Sequence, residues 1–129
     1  MCFRPKSYTA KELCIGKTRL KAYVADTWLK RAYGLMYWKR LKPNECMLFV
    51  GLGGRPGIWM LNMKFSIDIL WLDKHMRVVD LVERAKPCRL FRCKVYYPKK
   101  EASYVLELNA GSARKMAIRI GDRIGMCKH

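Results

Sequence analysis

Several side chains in the middle and late parts of this sequence are polar but sit among apolar neighbours, the setting in which ligand-binding groups are found. Asp68 stands between Ile67 and Ile69. On an extended strand it shares a face with Ser66, Leu70 and Leu72, so its carboxylate is either desolvated or fixed by hydrogen bonds. Glu107 lies in the run Tyr104-Val105-Leu106-Glu107-Leu108-Asn109, on the face opposite Tyr104, Leu106 and Leu108. Trp59 offers an aromatic plane, and Asn62 marks a turn-like break just after it. Together with Asn109, these residues predict a pocket with an aromatic wall, suited to a sugar or another polar ring. The plainer reading has Asn62 and Asp68 bonding turn backbone, Trp59 in the core, and Glu107 at the surface answering nearby cations. Asp73 is the next carboxylate after Asp68, but its odd offset places the two on opposite faces of a regular strand. A paired-carboxylate hydrolytic device built from these two alone is disfavoured.

Nucleophilic catalysis has weaker support. The two histidines are His75, in the turn-forming Asp73-Lys74-His75, and His129, the last residue. Neither sits where a rigid element would orient an imidazole against a Ser or Cys nucleophile. No catalytic constellation emerges, so the chain reads more as a binder than as an enzyme, with no cofactor implied. The six cysteines are Cys2, Cys14, Cys46, Cys88, Cys93 and Cys127. They form no C-x-x-C knuckles, and no metal site is expected. Cys88 and Cys93 are close enough to close a small loop as a disulfide where compartment and geometry allow. Reduced thiols are the default expectation, with the other cysteines acting as small core hydrophobes.

Charge is the most conspicuous feature of the composition. The 129 residues carry 27 Lys and Arg against 10 Asp and Glu, a formal net charge of +17. Basic residues dominate the first third and the segment 84–101, whereas residues 45–83 are nearly balanced. Aromatics are interleaved with the cations. Arg19, Lys21 and Tyr23 alternate, Lys30 precedes Arg31 and Tyr33, Lys39 and Arg40 follow Tyr37 and Trp38, and Arg89, Arg92 and Lys94 flank Phe91 and Tyr96. Rings that stack bases beside cations that hold phosphates suit nucleic acid or another polyanion. A non-catalytic module of that kind is the favoured expectation. The alternative is a small pocket protein, a glycan binder or carboxylate-using hydrolase, with its site around Trp59, Asn62, Asp68 and Glu107.

The elements that must position these groups are short. Leu20, Ala22 and Val24 alternate with Arg19, Lys21 and Tyr23, predicting a half-exposed strand over 19–25. Asp26 or Thr27 then caps a helix over Trp28–Tyr33, closed by Gly34. Further strands are predicted over 46–50, 58–60, 65–72, 76–82, 104–108 and 123–127. A glycine-rich loop spans 51–57, a basic excursion spans 84–101, and a second helix over 111–117 is capped by Asn109. About seven strands and two helices predict a mainly β single domain over 1–129, a small barrel or sandwich. Residues 1–17 read as a basic N-terminal extension. The apolar run 58–63 is far short of the roughly 20 residues of a membrane span. Lys6, Lys11 and Glu12 interrupt any export signal, so a cytoplasmic location is expected.

In chain order, Val24-Ala25-Asp26-Thr27, Arg31-x-x-Gly34-Leu35-Met36, Met47-Leu48-Phe49, Trp59-Met60-x-Asn62, Asp68-Ile69 with Asp73, and Tyr104 to Gly111 resemble the domain-of-unknown-function 192 family, also called uncharacterised protein family 0127. Gly121-Asp122 fits as well, so the resemblance runs from about residue 18 to 126. It implies a single, mostly β domain with short helices and carries no activity with it. Cys46 stands where the family usually has Gly, and Ser66 where Pro often occurs. The Cys88/Cys93 pair resembles a C-x4-C pair of the family's exported members, which keeps a disulfide in view. The resemblance does not imply the high positive charge, so a nucleic-acid role would be particular to this member.

Overall fold

The computed structural model describes residues 7–89 and 92–127. Its element order is β1 (Ala10–Ile15), β2 (Thr18–Ala25), α1 (Trp28–Tyr33), β3 (Glu45–Phe49), β4 (Ile67–Leu72), β5 (Val78–Ala85), β6 (Tyr104–Asn109), α2 (Ser112–Lys115) and β7 (Gly125–Met126). The strands make one sheet in the order β5-β4-β6-β3-β2-β1-β7, curled into a half-barrel. All neighbours are antiparallel except β2 and β3. That parallel pair needs a crossover, which α1 and the following loop supply.

The central strands β3, β4 and β6 are buried on both faces, so they read as continuous apolar runs and the sheet separates two cores. One face gathers Leu13, Leu20, Ala22, Cys46, Leu48, Leu70, Leu72, Leu106 and Leu108. The other gathers Leu35, Met47, Phe49, Met60, Ile67, Ile69, Trp71 and Val105. The two edges of the sheet are tied at one end. Val78 donates to the Asp122 carbonyl at 2.8 Å and Ile124 to the Met76 carbonyl at 2.9 Å, which joins the start of β5 to the segment leading into β7.

Several sequence-based expectations need correction. Residues 10–15, read as part of a basic extension, form β1, because Leu13 and Ile15 alternate with polar neighbours and pack into the first core. The expected strand over 58–60 is instead an irregular segment holding two isolated bridges, Ile58 to Tyr96 and Leu61 to Cys88. Asn62, at φ 61°, turns the chain just beyond it. The hairpin strand after β4 starts at Val78, since Asp73 uses its carboxylate to bind the N–H groups of His75 (2.8 Å) and Arg77 (3.0 Å) and so lengthens the turn. The last strand is reduced to Gly125–Met126, preceded by a single bridge from Arg123 to Arg77. The second helix shortens to 112–115 and has Gly111, at φ 90°, at its N-terminus in place of an Asn109 cap.

Candidate functional site

The register of β6 decides where Glu107 goes. It is paired with Met47 of β3 on one side and Ile69 of β4 on the other, which places its side chain on the second core's face. Glu107 is only 4% exposed, and among the described residues no fully buried side-chain oxygen or nitrogen is left without a partner. Burial among apolar neighbours pushes its pKa up to about 8. The side chain opens onto a cleft of about 310 Å³ lined by Arg31, Tyr33, Gly34, Leu35, Met36, Phe49, Gly57, Ile58, Trp59 and Met63. No other carboxylate lines this cleft among the described residues.

Local chemistry explains each wall. The Thr27 hydroxyl caps α1 by accepting from the Lys30 N–H at 3.2 Å. Arg31 then donates to the Val50 carbonyl at 3.1 Å, holding the helix against the end of β3. Gly34 ends α1 at φ 51° and ψ −124°, a conformation that favours glycine. It also lies close to the floor: a Cβ there would stand 2.9 Å from the Phe49 ring and 3.9 Å from Glu107 Oε1. On the opposite wall Trp59 is 47% exposed, an open ring beside the cleft and not a core residue. Gly57 packs so tightly that a Cβ would meet Val95 at 2.5 Å and Tyr97 at 2.7 Å.

The expected four-residue pocket is therefore divided. Trp59 and Glu107 share the cleft. Asp68 points to the other face, in register with Leu108. It is fully buried, and its carboxylate accepts from the backbone N–H groups of Arg84 (2.8 Å), Gly111 (3.2 Å) and Ala113 (2.8 Å). Asn62 is exposed and directs its amide toward the Met36 sulfur at 4.0 Å. Asn109 donates to the Leu41 and Lys42 carbonyls at 3.0 and 3.1 Å, which explains why it does not cap α2. The idea of Glu107 as a surface residue is also overturned, because both faces of β6 are covered.

The cations fall into distinct environments. Arg19 pairs with Glu12, and Tyr23 donates its hydroxyl to Glu45. That bond, with burial, pushes the Tyr23 pKa up to about 12. Lys21 lies 5.0 Å from the centre of the Tyr23 ring. Tyr8, Tyr23 and Trp38 pack edge to face on one another, at 5.2 to 6.5 Å between centroids, so they form no free stacking plane. Lys30 pairs with Asp26 at 3.6 Å and lies over Tyr8. Lys39 and Arg40 are exposed on the loop after α1, and Arg89, Arg92 and Lys94 are exposed on the excursion after β5. Cys88 and Cys93 are joined by a disulfide. So are Cys14 and Cys127, contrary to the expectation of reduced thiols there. Cys46 is free and buried, and burial pushes its pKa up to about 12. Cys2 and His129 lie outside the described residues.

The family model described as an uncharacterised ACR, the domain-of-unknown-function 192 family, matches residues 11–126. The chain belongs to this family. An uncharacterised protein family 0127 member from Thermococcus kodakarensis is 38% identical over 120 residues, covering 87% of this chain and 71% of the relative. One from Pyrococcus horikoshii is 36% identical over 107 residues, covering 78% and 83%. Among solved structures, a candidate transcription regulator from Sinorhizobium meliloti is 26% identical with a TM-score of 0.84, covering 95% of this chain and 97% of that one. A protein of unknown function from Novosphingobium aromaticivorans, 24% identical with a TM-score of 0.81, shares the fold over 89% of this chain and 84% of its own. Within the family blocks Arg31-x-x-Gly34-Leu35-Met36 and Met47-Leu48-Phe49, four cleft residues in and just after α1 (Arg31, Gly34, Leu35 and Met36) and one of β3 (Phe49) escaped the sequence-based site. The available signal was the glycine: a required positive φ beside a bulky Phe indicates backbone packed close against a wall.

Proposed function

We propose that this member of the 192 family is a non-catalytic binding module that takes one hydroxylated ring, the size of a single sugar residue, into the cleft between Trp59 and Glu107. The observation that carries this reading is the Glu107 carboxyl group, on a residue only 4% exposed, opening on the cleft that the exposed Trp59 ring also lines. A group in that setting is matched by a ligand that brings its own polar atoms. Around neutral pH the acid form of Glu107 is substantially populated, so its O–H can donate to a ring or hydroxyl oxygen. The exposed Trp59 ring supplies an apolar plane for the C–H face of a sugar, the role aromatic walls commonly play in small-ligand sites. Two-carboxylate hydrolysis is not favoured, because Glu107 is the single described carboxylate lining the cleft.

A thermal-shift screen of neutral and charged mono- and oligosaccharides, followed by calorimetric titration of hits, tests the proposal. Trp59→Ala should weaken any hit at least tenfold, and Glu107→Gln, which keeps a donor, should retain binding. A library with no hit, or hits indifferent to Trp59→Ala, would overturn it.

A further inference from the structure

The wall that carries Trp59 is built jointly with the basic excursion. Ile58 and Tyr96 exchange two backbone hydrogen bonds, at 2.9 and 2.8 Å, and Cys88 donates to the Met60 carbonyl at 3.2 Å. Gly57 lies against Val95 and Tyr97. Arg55 Nε donates to the Pro98 carbonyl at 2.8 Å, a fourth tie between the same two segments. Residues 88 and 96 are thus both fastened to the cleft wall, and the Cys88–Cys93 disulfide closes a loop between them. From residue 84 to residue 100 the sequence holds no acidic side chain. Lys86, Arg89, Arg92 and Lys94 are all exposed, and none enters an ion pair among the described residues. Of the four, Lys94 alone makes a described ring contact, 4.5 Å from the centre of Tyr96. The described ion pairs lie outside this loop: Arg19 with Glu12, Lys30 with Asp26 and Arg114 with Glu83.

Resting on the proposed ring-binding cleft, we infer that the ligand is one residue of an anionic glycan, its ring held against Trp59 and the neighbouring carboxylate or sulfate groups held by Arg89, Arg92 and Lys94. Cations carried on a segment fastened to the wall of a ring site discriminate by charge, and closing that segment by a disulfide lowers the ordering cost of doing so. A glycan is favoured over RNA because the cleft that the loop borders admits one ring beside a carboxyl group, and the aromatic residues Tyr8, Tyr23 and Trp38 are locked against each other and offer bases no open platform.

The test is a calorimetric titration of the whole chain with an oligogalacturonate, its neutral methyl ester, a sulfated glycan oligosaccharide, and a short poly(U) of equal charge, at two salt concentrations. Wild type should bind an acidic oligosaccharide at least tenfold more tightly than the neutral ester. The Arg89→Ser/Arg92→Ser/Lys94→Ser variant should lose that preference and most of the salt dependence, with the neutral ester's weaker binding unchanged. Trp59→Ala should weaken acidic and neutral sugars alike. Equal affinity for acidic and neutral sugars would overturn the inference and leave the cleft reading standing. Poly(U) binding that is insensitive to Trp59→Ala would overturn it in favour of a general polyanion surface. Binding by none of the sugars would remove both readings.

Discussion

Two carboxylates on neighbouring strands show how the same residue type takes opposite roles. Asp68 is buried with three backbone N–H donors converging on it, so it works as a clasp joining β4 to the irregular end of β5 at Arg84 and to the chain entering α2. Asp68→Ala leaves those donors without an acceptor, and roughly 3 kcal/mol of stability should be lost, with a melting temperature lower by more than about 10 °C. A melt within a few degrees of wild type would contradict this clasp. No such set of backbone donors is described at Glu107, and burial raises its pKa to about 8. In the unfolded chain it titrates near 4.3. Below that value both states hold the proton; between it and about 8 the unfolded chain releases its proton while the folded chain keeps it. Stability therefore falls with rising pH across this window by up to a few kcal/mol, then becomes flat above it. Glu107→Gln should flatten the wild-type decline between pH 5 and 8 in urea unfolding measured at each pH. A variant with the same slope as wild type would place the titration elsewhere.

At the level of elements, the cleft depends on how α1 stops. Gly34 combines a positive φ with close approach to Phe49, so Gly34→Ala meets both a backbone penalty and a side-chain clash. The expected cost is roughly 1–3 kcal/mol in denaturant unfolding, accompanied by altered near-ultraviolet dichroism as Phe49 and the floor shift. A neutral substitution would mean that the helix end moves freely. Much of this element was readable from sequence, since the cap, the six-residue helix and the closing glycine follow from local residue types. The alternation of β2 was equally plain. Other parts depended on long-range pairing that local pattern does not encode. Residues 58–60 look like a strand because they are apolar, but of the three only Ile58 makes a bridge, to Tyr96 of the excursion. Asn109 has the right residue type for a cap, yet the carbonyls of Leu41 and Lys42, far away in sequence, claim its amide. For the site, Trp59 and Glu107 were legible as a polar group and a ring in apolar runs. That Glu107 lies on the face opposite Leu106 and Leu108 was legible too; that this face is also covered was not, because strands buried on both sides show no polar alternation to reveal it.

Across the whole molecule, the sheet assigns stability and recognition to different faces. The cleft belongs to the core containing Leu35, Phe49 and Met60, whereas β1, β7 and the closure of the half-barrel belong to the core containing Leu13, Ile15 and Ile124. The Cys14–Cys127 disulfide lies at that second location, where Cys14 faces Gly125 across the short β1–β7 ladder. It links residues 113 apart in sequence, whereas Cys88 and Cys93 are 5 apart. Cross-links restrict the unfolded chain more as the closed loop lengthens, which gives roughly 4–5 kcal/mol for the long bridge and roughly 2 kcal/mol for the short one. The β7 ladder has only two residue pairs, and the backbone bonds of Val78 with Asp122 and of Ile124 with Met76 are what remain at this edge once the bridge is gone. Replacing Cys14 and Cys127 by Ser should therefore lower the urea midpoint well beyond the change caused by replacing Cys88 and Cys93. Ligand affinity should nonetheless stay within about twofold of wild type, since no cleft residue touches that edge. Replacing Cys88 and Cys93 should do the reverse, costing less stability but weakening acidic ligands by freeing the loop that carries Arg89 and Arg92. Equal stability losses in the two variants, or a collapse of binding on removal of the long bridge, would show that the two faces of the sheet are energetically coupled.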